Sequence, residues 1–233
     1  MEGEEILRVE NLVRRFGGFK ALNGVSLSIS GRGVTSIIGP NGAGKTTLIN
    51  VITGRLKPDA GRVYFMGRDI TGWPPHKIVR IGIARTFQII NLFTGLSVYH
   101  NIAIASLSRG NSADVDGIIR RFGLDEYRDH EVIKLPHGIQ RIVEIAVAMA
   151  TKPRLLILDE PMAGLNSGEK GLVIERIRDL EKQIPVILVE HDMDVVFSIS
   201  RRIIVMNRGE VIASGAPDEI ADNRLVREIY LGE

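Results

Sequence analysis

The sequence predicts an α/β fold organised around a parallel β-sheet, and three observations carry that expectation. Leu155–Leu158 and Val186–Val189 are apolar at every position, and Val34–Ile38 is a short, largely apolar run ending in Gly39. Strands buried on both faces read this way, without the alternation of a half-solvated sheet. Helical periodicity follows each run, over residues 46–54, 168–182 and 192–199, so strands and helices alternate along the chain. Between these segments, helical patterns over 97–105, 114–122 and 138–150 succeed one another with no strand between them, which marks a helical lobe inserted into the α/β core.

In chain order, Ile6–Val13 and Val25–Ile29 alternate in hydrophobicity and read as strands. Leu48, Ile49, Val51 and Ile52 give residues 46–54 a helical stripe that Gly54 and Pro58 stop. Pro58–Gly61 is a turn, Arg62–Met66 a strand, and Ile83–Phe87 a further strand closed by Gln88. The polar stretch Ser106–Ser112 separates the first two helices of the lobe. The third, 138–150, has a wide apolar face from Ile142, Val143, Ile145, Ala146 and Met149. Ile203–Met206 and Glu210–Ser214, split by Asn207-Arg208-Gly209, form a closing hairpin.

The 233 residues suit one large domain or a core with a smaller lobe, and 44% hydrophobic with 25% charged residues is ordinary globular composition. Aromatics make up only 5%, which argues against a base-stacking nucleic-acid surface. The 30 basic and 28 acidic residues leave a formal charge of +2, too little for a polyanion-binding face. Without cysteine there is no disulfide, thiolate metal site or cysteine nucleophile. The acidic start Met1–Glu5 is not a signal peptide, and no apolar run approaches the roughly 18 residues that span a bilayer. A cytoplasmic protein is expected, one that would serve a membrane process only through a separate chain.

Gly39-Pro40-Asn41-Gly42-Ala43-Gly44-Lys45-Thr46 matches G-x-x-x-x-G-K-S/T between an expected strand and an expected helix, the context that gives this motif meaning. Its glycines let successive backbone N–H groups turn inward onto phosphate oxygens, and the helix start adds the positive end of its dipole. Lys45 would reach the β- and γ-phosphates, the Thr46 hydroxyl would ligate Mg²⁺, and Thr47 completes the phosphate site, so ATP with Mg²⁺ is the expected ligand pair. The run Leu155–Leu158 then delivers Asp159 beside the loop, where it would hold Mg²⁺ through water, and Glu160, which would take a proton from attacking water. Gln88 and His191 each lie just past a strand's carboxyl end, where open parallel sheets bind ligands. Taken singly, Gln88 reads as a polar loop residue and His191 as a helix-start residue beside Asp192; together with the two motifs they become candidate sensors of the γ-phosphate, Gln88 also as a metal ligand.

The order of these motifs resembles the ATPase subunit of ABC transporters over essentially the whole chain. The resemblance implies a P-loop NTPase core with a parallel sheet and an antiparallel β N-terminal subdomain (residues 1–88 and 151–233), and an inserted helical subdomain (89–150). It makes Gln88 the Q-loop glutamine, Glu160 the catalytic base and His191 the switch histidine. Phe16, otherwise a core aromatic of its strand, would stack on adenine. Leu135–Arg141 takes the signature-motif position, where Pro136, His137, Gly138 and Gln140 would meet the nucleotide of a partner subunit. The family pattern there is Leu-Ser-Gly-Gly-Gln; Pro136 stands at its serine and Ile139 at its glutamine, so the serine contact is lost while Gly138 and backbone N–H groups are expected to remain available. Asn166 replaces the usual D-loop aspartate.

Ala84–Gln88, Asn91-Leu92-Phe93, Leu96–Val98 and Asn101, together with Ile229–Glu233, resemble more narrowly the ATPases of branched-chain amino acid importers. That resemblance implies a second ATPase subunit, identical or paralogous, transmembrane permease subunits, and a solute-binding protein acting indirectly. It implies a place at the inner face of the membrane, with no nucleic acid among the partners. Residues 88–96, with Ile89, Ile90, Leu92 and Phe93, would then receive the permease, although the same residues also suit the core of the helical lobe. Lipopolysaccharide-transport ATPases share much of the pattern. Nucleic-acid-directed ABC-type ATPases use the same head, but with long coiled coils, zinc cysteines or a second head in the chain, none of which stands here.

Overall fold

The computed structural model describes residues 4–86, 91–107 and 114–231. The chain opens with a long hairpin, β1 (Glu5–Phe16) and β2 (Phe19–Ser30), closed by Gly17-Gly18, and runs through β3 (Gly33–Ile38) into α1 (Lys45–Ile52). Next come β4 (Ala60–Phe65), β5 (Arg68–Asp69), α2 (Pro75–Ile81) and β6 (Ile83–Arg85). Three helices follow, α3 (Val98–Leu107), α4 (Val115–Phe122) and α5 (His137–Ala150). The remainder is β7 (Leu155–Asp159), α6 (Ser167–Glu181), β8 (Pro185–Val189), α7 (Met193–Ile199), β9 (Arg202–Asn207), β10 (Glu210–Gly215), α8 (Pro217–Ala221) and α9 (Arg224–Leu231).

The strands form two sheets. A four-stranded antiparallel sheet has the order β2-β1-β4-β5, and a six-stranded sheet has the order β10-β9-β3-β8-β7-β6. In the larger sheet β3, β6, β7, β8 and β9 pair in parallel, and β10 closes it as the antiparallel partner of β9, the hairpin expected from Asn207-Arg208-Gly209.

The continuous apolar strands have a specific cause, because each face of the large sheet serves a different core. Leu155 and Ile157 of β7 and Ile187 and Val189 of β8 join Leu48, Ile49 and Ile52 of α1 and Leu7, Val9 and Leu12 of β1. Their neighbours Leu156, Leu158, Val186 and Leu188 point the other way, to Ile142, Val143 and Ile145 of α5 and Val173 and Ile177 of α6. With a side-chain period of two, both registers must be apolar. Each fully buried aliphatic side chain contributes about 1.5–3 kcal/mol. The middle helices share the second core through Val98 and Ile102 of α3 and Ile119 and Phe122 of α4.

Two departures from expectation have local causes. β1 and β2 extend beyond Ile6–Val13 and Val25–Ile29, because the ladder continues through Arg14↔Leu22 and Arg15↔Lys20 to Phe16↔Phe19, a stretch in which only Ala21 and Leu22 remain buried and no alternation is left to read. α2 and α8 carry no clear apolar period in sequence; they instead begin at Pro75 and Pro217, whose fixed φ and missing N–H suit a first helical position.

Candidate active site

The loop between β3 and α1 is shaped by two glycines, Gly39 and Gly44, for which no other residue has room. A Cβ on Gly39 would stand 2.2 Å from the Met206 carbonyl oxygen, and one on Gly44 would stand 2.5 Å from that of Ala21. Gly44, with φ of 102°, also takes the left-handed position that lets the chain turn into α1. Lys45 folds back over this loop, its Nζ donating to the carbonyls of Gly39 and Pro40. Burial pushes the Lys45 ammonium below its ordinary pKa, against the pull of Glu160 and Asp159. A largely buried cation ringed by neutral carbonyls and two carboxylates is well placed to receive a phosphate, so the loop fits a nucleotide's phosphate chain.

A cleft of about 240 Å³ opens over the loop, lined by Phe16, Phe19, Ala21, residues 41–47 and Glu160. Phe16 is 46% exposed and Phe19 60% exposed, so Phe16 is not a core aromatic. The two rings are cross-strand partners flanking Gly17-Gly18, and the Arg14 guanidinium carbon lies 5.0 Å from the Phe16 ring centre. Phe19 carries no motif; only the pairing register of the hairpin reveals it. A larger groove, lined by Ser28, Arg32, Arg201 and Arg202, lies away from this loop, and its arginines already donate to backbone carbonyls of Lys182, Arg32 and Ser28.

At the tip of β7, Asp159 is buried, and its Oδ2 accepts from Arg85 Nη2 at 2.7 Å. Arg85 Nη1 also donates to Asn50 Oδ1 at 2.7 Å and Thr53 Oγ1 at 3.3 Å. One guanidinium therefore ties β6, α1 and β7 together behind the loop. Glu160 lies one residue on in the left-handed region, φ 48°, with its N–H donating to the Val189 carbonyl at 2.8 Å. This conformation turns Glu160 into the cleft while Asp159 stays behind it. A hydroxyl at Thr46 and a carboxylate at Asp159 suit Mg²⁺, which takes few protein ligands beside phosphate and water.

His191 is exposed, with its backbone N–H bound to the buried Glu190 carboxylate at 3.0 Å, and it does not line the cleft. Gln88, Ile89 and Ile90 lie outside the described residues. Phe93 is 58% exposed, whereas Leu92 packs partly against the core.

The segment before α5 is tied within its own chain at two points. Pro136 is the N-cap of α5, Pro136 and His137 are exposed, and Gln140 Nε2 donates back to the Leu135 carbonyl at 2.9 Å. The Gly138 N–H donates to Glu169 Oε1 at 2.9 Å. Glu169 carries a sequence signal of its own, the Asn166-x-x-Glu169 capping box at the start of α6.

A family model described as ABC transporter matches residues 22–163. This chain belongs to the ABC transporter family. A second model, described as branched-chain amino acid ATP-binding cassette transporter, matches residues 210–233. The chain is 40% identical to the high-affinity branched-chain amino acid transport ATP-binding protein BraF of Pseudomonas aeruginosa, over 98% of both chains. It is 39% identical to the probable branched-chain amino acid transport ATP-binding protein LivG of Archaeoglobus fulgidus, over 98% of this chain and 96% of that one. A crystal structure of the ADP conformation of an ATP-binding cassette of an ABC transporter superposes with a TM-score of 0.89 at 38% identity, over 98% of this chain and 99% of that one. A dimeric ATP-binding cassette in a post-hydrolysis state, bound to ADP and Pi, matches with a TM-score of 0.79 at 26% identity, over 91% of this chain and 99% of that one.

The chain is thus an ABC ATP-binding subunit with the P-loop NTPase fold expected from its sequence. Nucleotide binding and ATPase activity are general to this family, whose subunits work as dimers with permease components. Among the described residues, no helix is long and apolar enough to cross a membrane.

Proposed function

We propose that this chain hydrolyses ATP to drive the import of branched-chain amino acids, working at the cytoplasmic face of a membrane through permease subunits. The observation that carries the catalytic part is the single cleft shared by Phe16, the Lys45 loop and Glu160. The likeness to branched-chain transport subunits, extending to residues 210–233, supports the solute.

ATP lies with its base against Phe16 and its phosphates in the Gly39–Thr47 loop, where Lys45 exchanges its loop carbonyls for β- and γ-phosphate oxygens. Thr46, Asp159 and Gln88 would hold Mg²⁺, which supplies charge neutralisation between those phosphates. Glu160 accepts the proton of a water that attacks the γ-phosphorus as the bond to ADP breaks. His191 and Gln88 steady the transferred phosphoryl group. The Leu135–Gln140 segment of a second subunit, identical or paralogous, covers the γ-phosphate. Residues 89–150 act as the helical subdomain and the remainder as the nucleotide-binding core. A solute-binding protein delivers the cargo to the permease, and nucleic acid has no part.

The test is Glu160→Gln. ATP turnover should fall by about 10²–10⁴-fold while nucleotide binding persists and an ATP-bound dimer accumulates. Turnover at the wild-type rate would remove Glu160 from the role of base. Uptake of radiolabelled leucine by vesicles holding the assembled complex tests the solute, and no ATP-dependent uptake would overturn that assignment.

A further inference from the structure

Glu169 divides its carboxylate between two parts of the chain. Oε2 accepts from the Asn166 N–H at 3.1 Å, and the Asn166 side chain accepts from the Glu169 N–H at 3.0 Å, closing the cap of α6. Oε1 leaves that helix and accepts from the Gly138 N–H at 2.9 Å, across 31 residues of sequence. A helix cap alone has no use for the second contact. The packing is shaped around it, because a Cβ on Gly138 would stand 2.8 Å from both Cβ and Cγ of Glu169. Gly138 is therefore glycine for close approach to Glu169. At a second point, a Cβ on Gly164 would come within 3.8 Å of the His137 ring, so residues 135–140 and 164–166 are neighbours along a front.

We propose that Glu169 is a positioning residue that locks the Leu135–Gln140 segment to the Gly164–Asn166 turn, so that both parts of the surface offered to the partner subunit move as one body. The proposal rests on the reading that this segment completes the partner's site. Two charge-assisted bonds from one carboxylate fix both the distance and the angle between the segments, and a carboxylate is favoured at the N-terminus of α5 by the helix dipole. The two N–H donors hold the Glu169 carboxyl below its ordinary pKa, in keeping with a carboxylate engaged at both ends. Misplacing one segment relative to the other would leave each subunit's own nucleotide cleft intact and spoil only the composite site.

The experiment compares full-length Glu169→Asp and Glu169→Gln with the wild type. Aspartate keeps the charge and can still cap α6, but it is one methylene too short to reach Gly138. Glutamine keeps the reach and one accepting oxygen. Hydrogen exchange at the Gly138 amide reads the tie directly, and should speed up in Glu169→Asp and change less in Glu169→Gln. Binding of a fluorescent ATP analogue to the monomer should be unchanged in both. Turnover should fall about tenfold or more in Glu169→Asp, with partial rescue in Glu169→Gln, and the Glu160→Gln dimer should fail to accumulate when Glu169→Asp is added. Wild-type turnover and dimer formation in Glu169→Asp would overturn the proposal. So would a loss that follows the melting temperature and disappears on cooling. A wild-type protein without ATP turnover would instead overturn the assigned function, while the exchange measurement would still decide whether the tie exists.

Discussion

Arg85 and Asp159 form a buried ion pair, Nη2 to Oδ2 at 2.7 Å, with only 7% and 6% of the two side chains exposed. Desolvating both charges costs several kcal/mol, and the pair is tolerable because Arg85 also binds Asn50 and Thr53. It engages Oδ2 of Asp159 within the chain and fixes the carboxylate's position. Arg85→Met should cost about 3–5 kcal/mol in urea denaturation, because Asp159 is left buried without its partner. Arg85→Met combined with Asp159→Leu should recover much of that loss. An additive loss in the double variant would show that the two residues are not coupled.

Phe16 and Phe19 face the cleft side by side, and the proposed function makes Phe16 the surface for the base. Phe16→Ala should weaken nucleotide binding by about 1–3 kcal/mol, the usual worth of a base stacked on an aromatic ring. Because Phe16 is already half exposed, its melting temperature without nucleotide should barely move. Titration with a fluorescent ATP analogue measures the first quantity and differential scanning fluorimetry the second.

Phe93 projects from a loop whose backbone is held independently of its ring. The Phe93 N–H donates to Asn101 Oδ1 at 2.9 Å, and Asn101 Nδ2 donates to the Phe93 carbonyl at 3.0 Å. Phe93→Asp should therefore fold normally. If this ring meets the permease, solute uptake by the reconstituted complex should collapse while ATP hydrolysis by the isolated subunit continues. Normal uptake would place the docking surface elsewhere.

The Gly138 and Asn166 N–H groups hold the Glu169 carboxyl below the 4.5 of an ordinary glutamate. A carboxylate with a depressed folded-state pKa stabilises the fold fully above its unfolded value and loses that contribution as the pH falls through the folded value. The wild type should accordingly melt above Glu169→Gln at neutral pH, and the two curves should converge as the pH falls below the ordinary glutamate value and through the depressed one. A gap independent of pH would mean that the carboxylate charge contributes nothing at this position.

The sequence by itself determined what is local. A phosphate loop is eight consecutive residues between a strand and a helix, and Asp159-Glu160 announces itself as two acids ending an apolar run, so both are visible without coordinates. β7 and β8 were visible too, because each face of the sheet meets its own core there and both registers are apolar. The tertiary structure decided what depends on contacts distant in the chain. Arg85 and Asp159 stand 74 residues apart, and Gly138 and Glu169 stand 31 apart. Arg85 carries an ordinary charge and Phe19 an ordinary apolar side chain until packing gives each a partner, and only packing sets the Glu169 carboxylate against Gly138. Whether the Gly138 N–H faces an incoming phosphate or a carboxylate of its own chain depends on how closely α5 approaches α6, and that distance is set by the shape of the shared core.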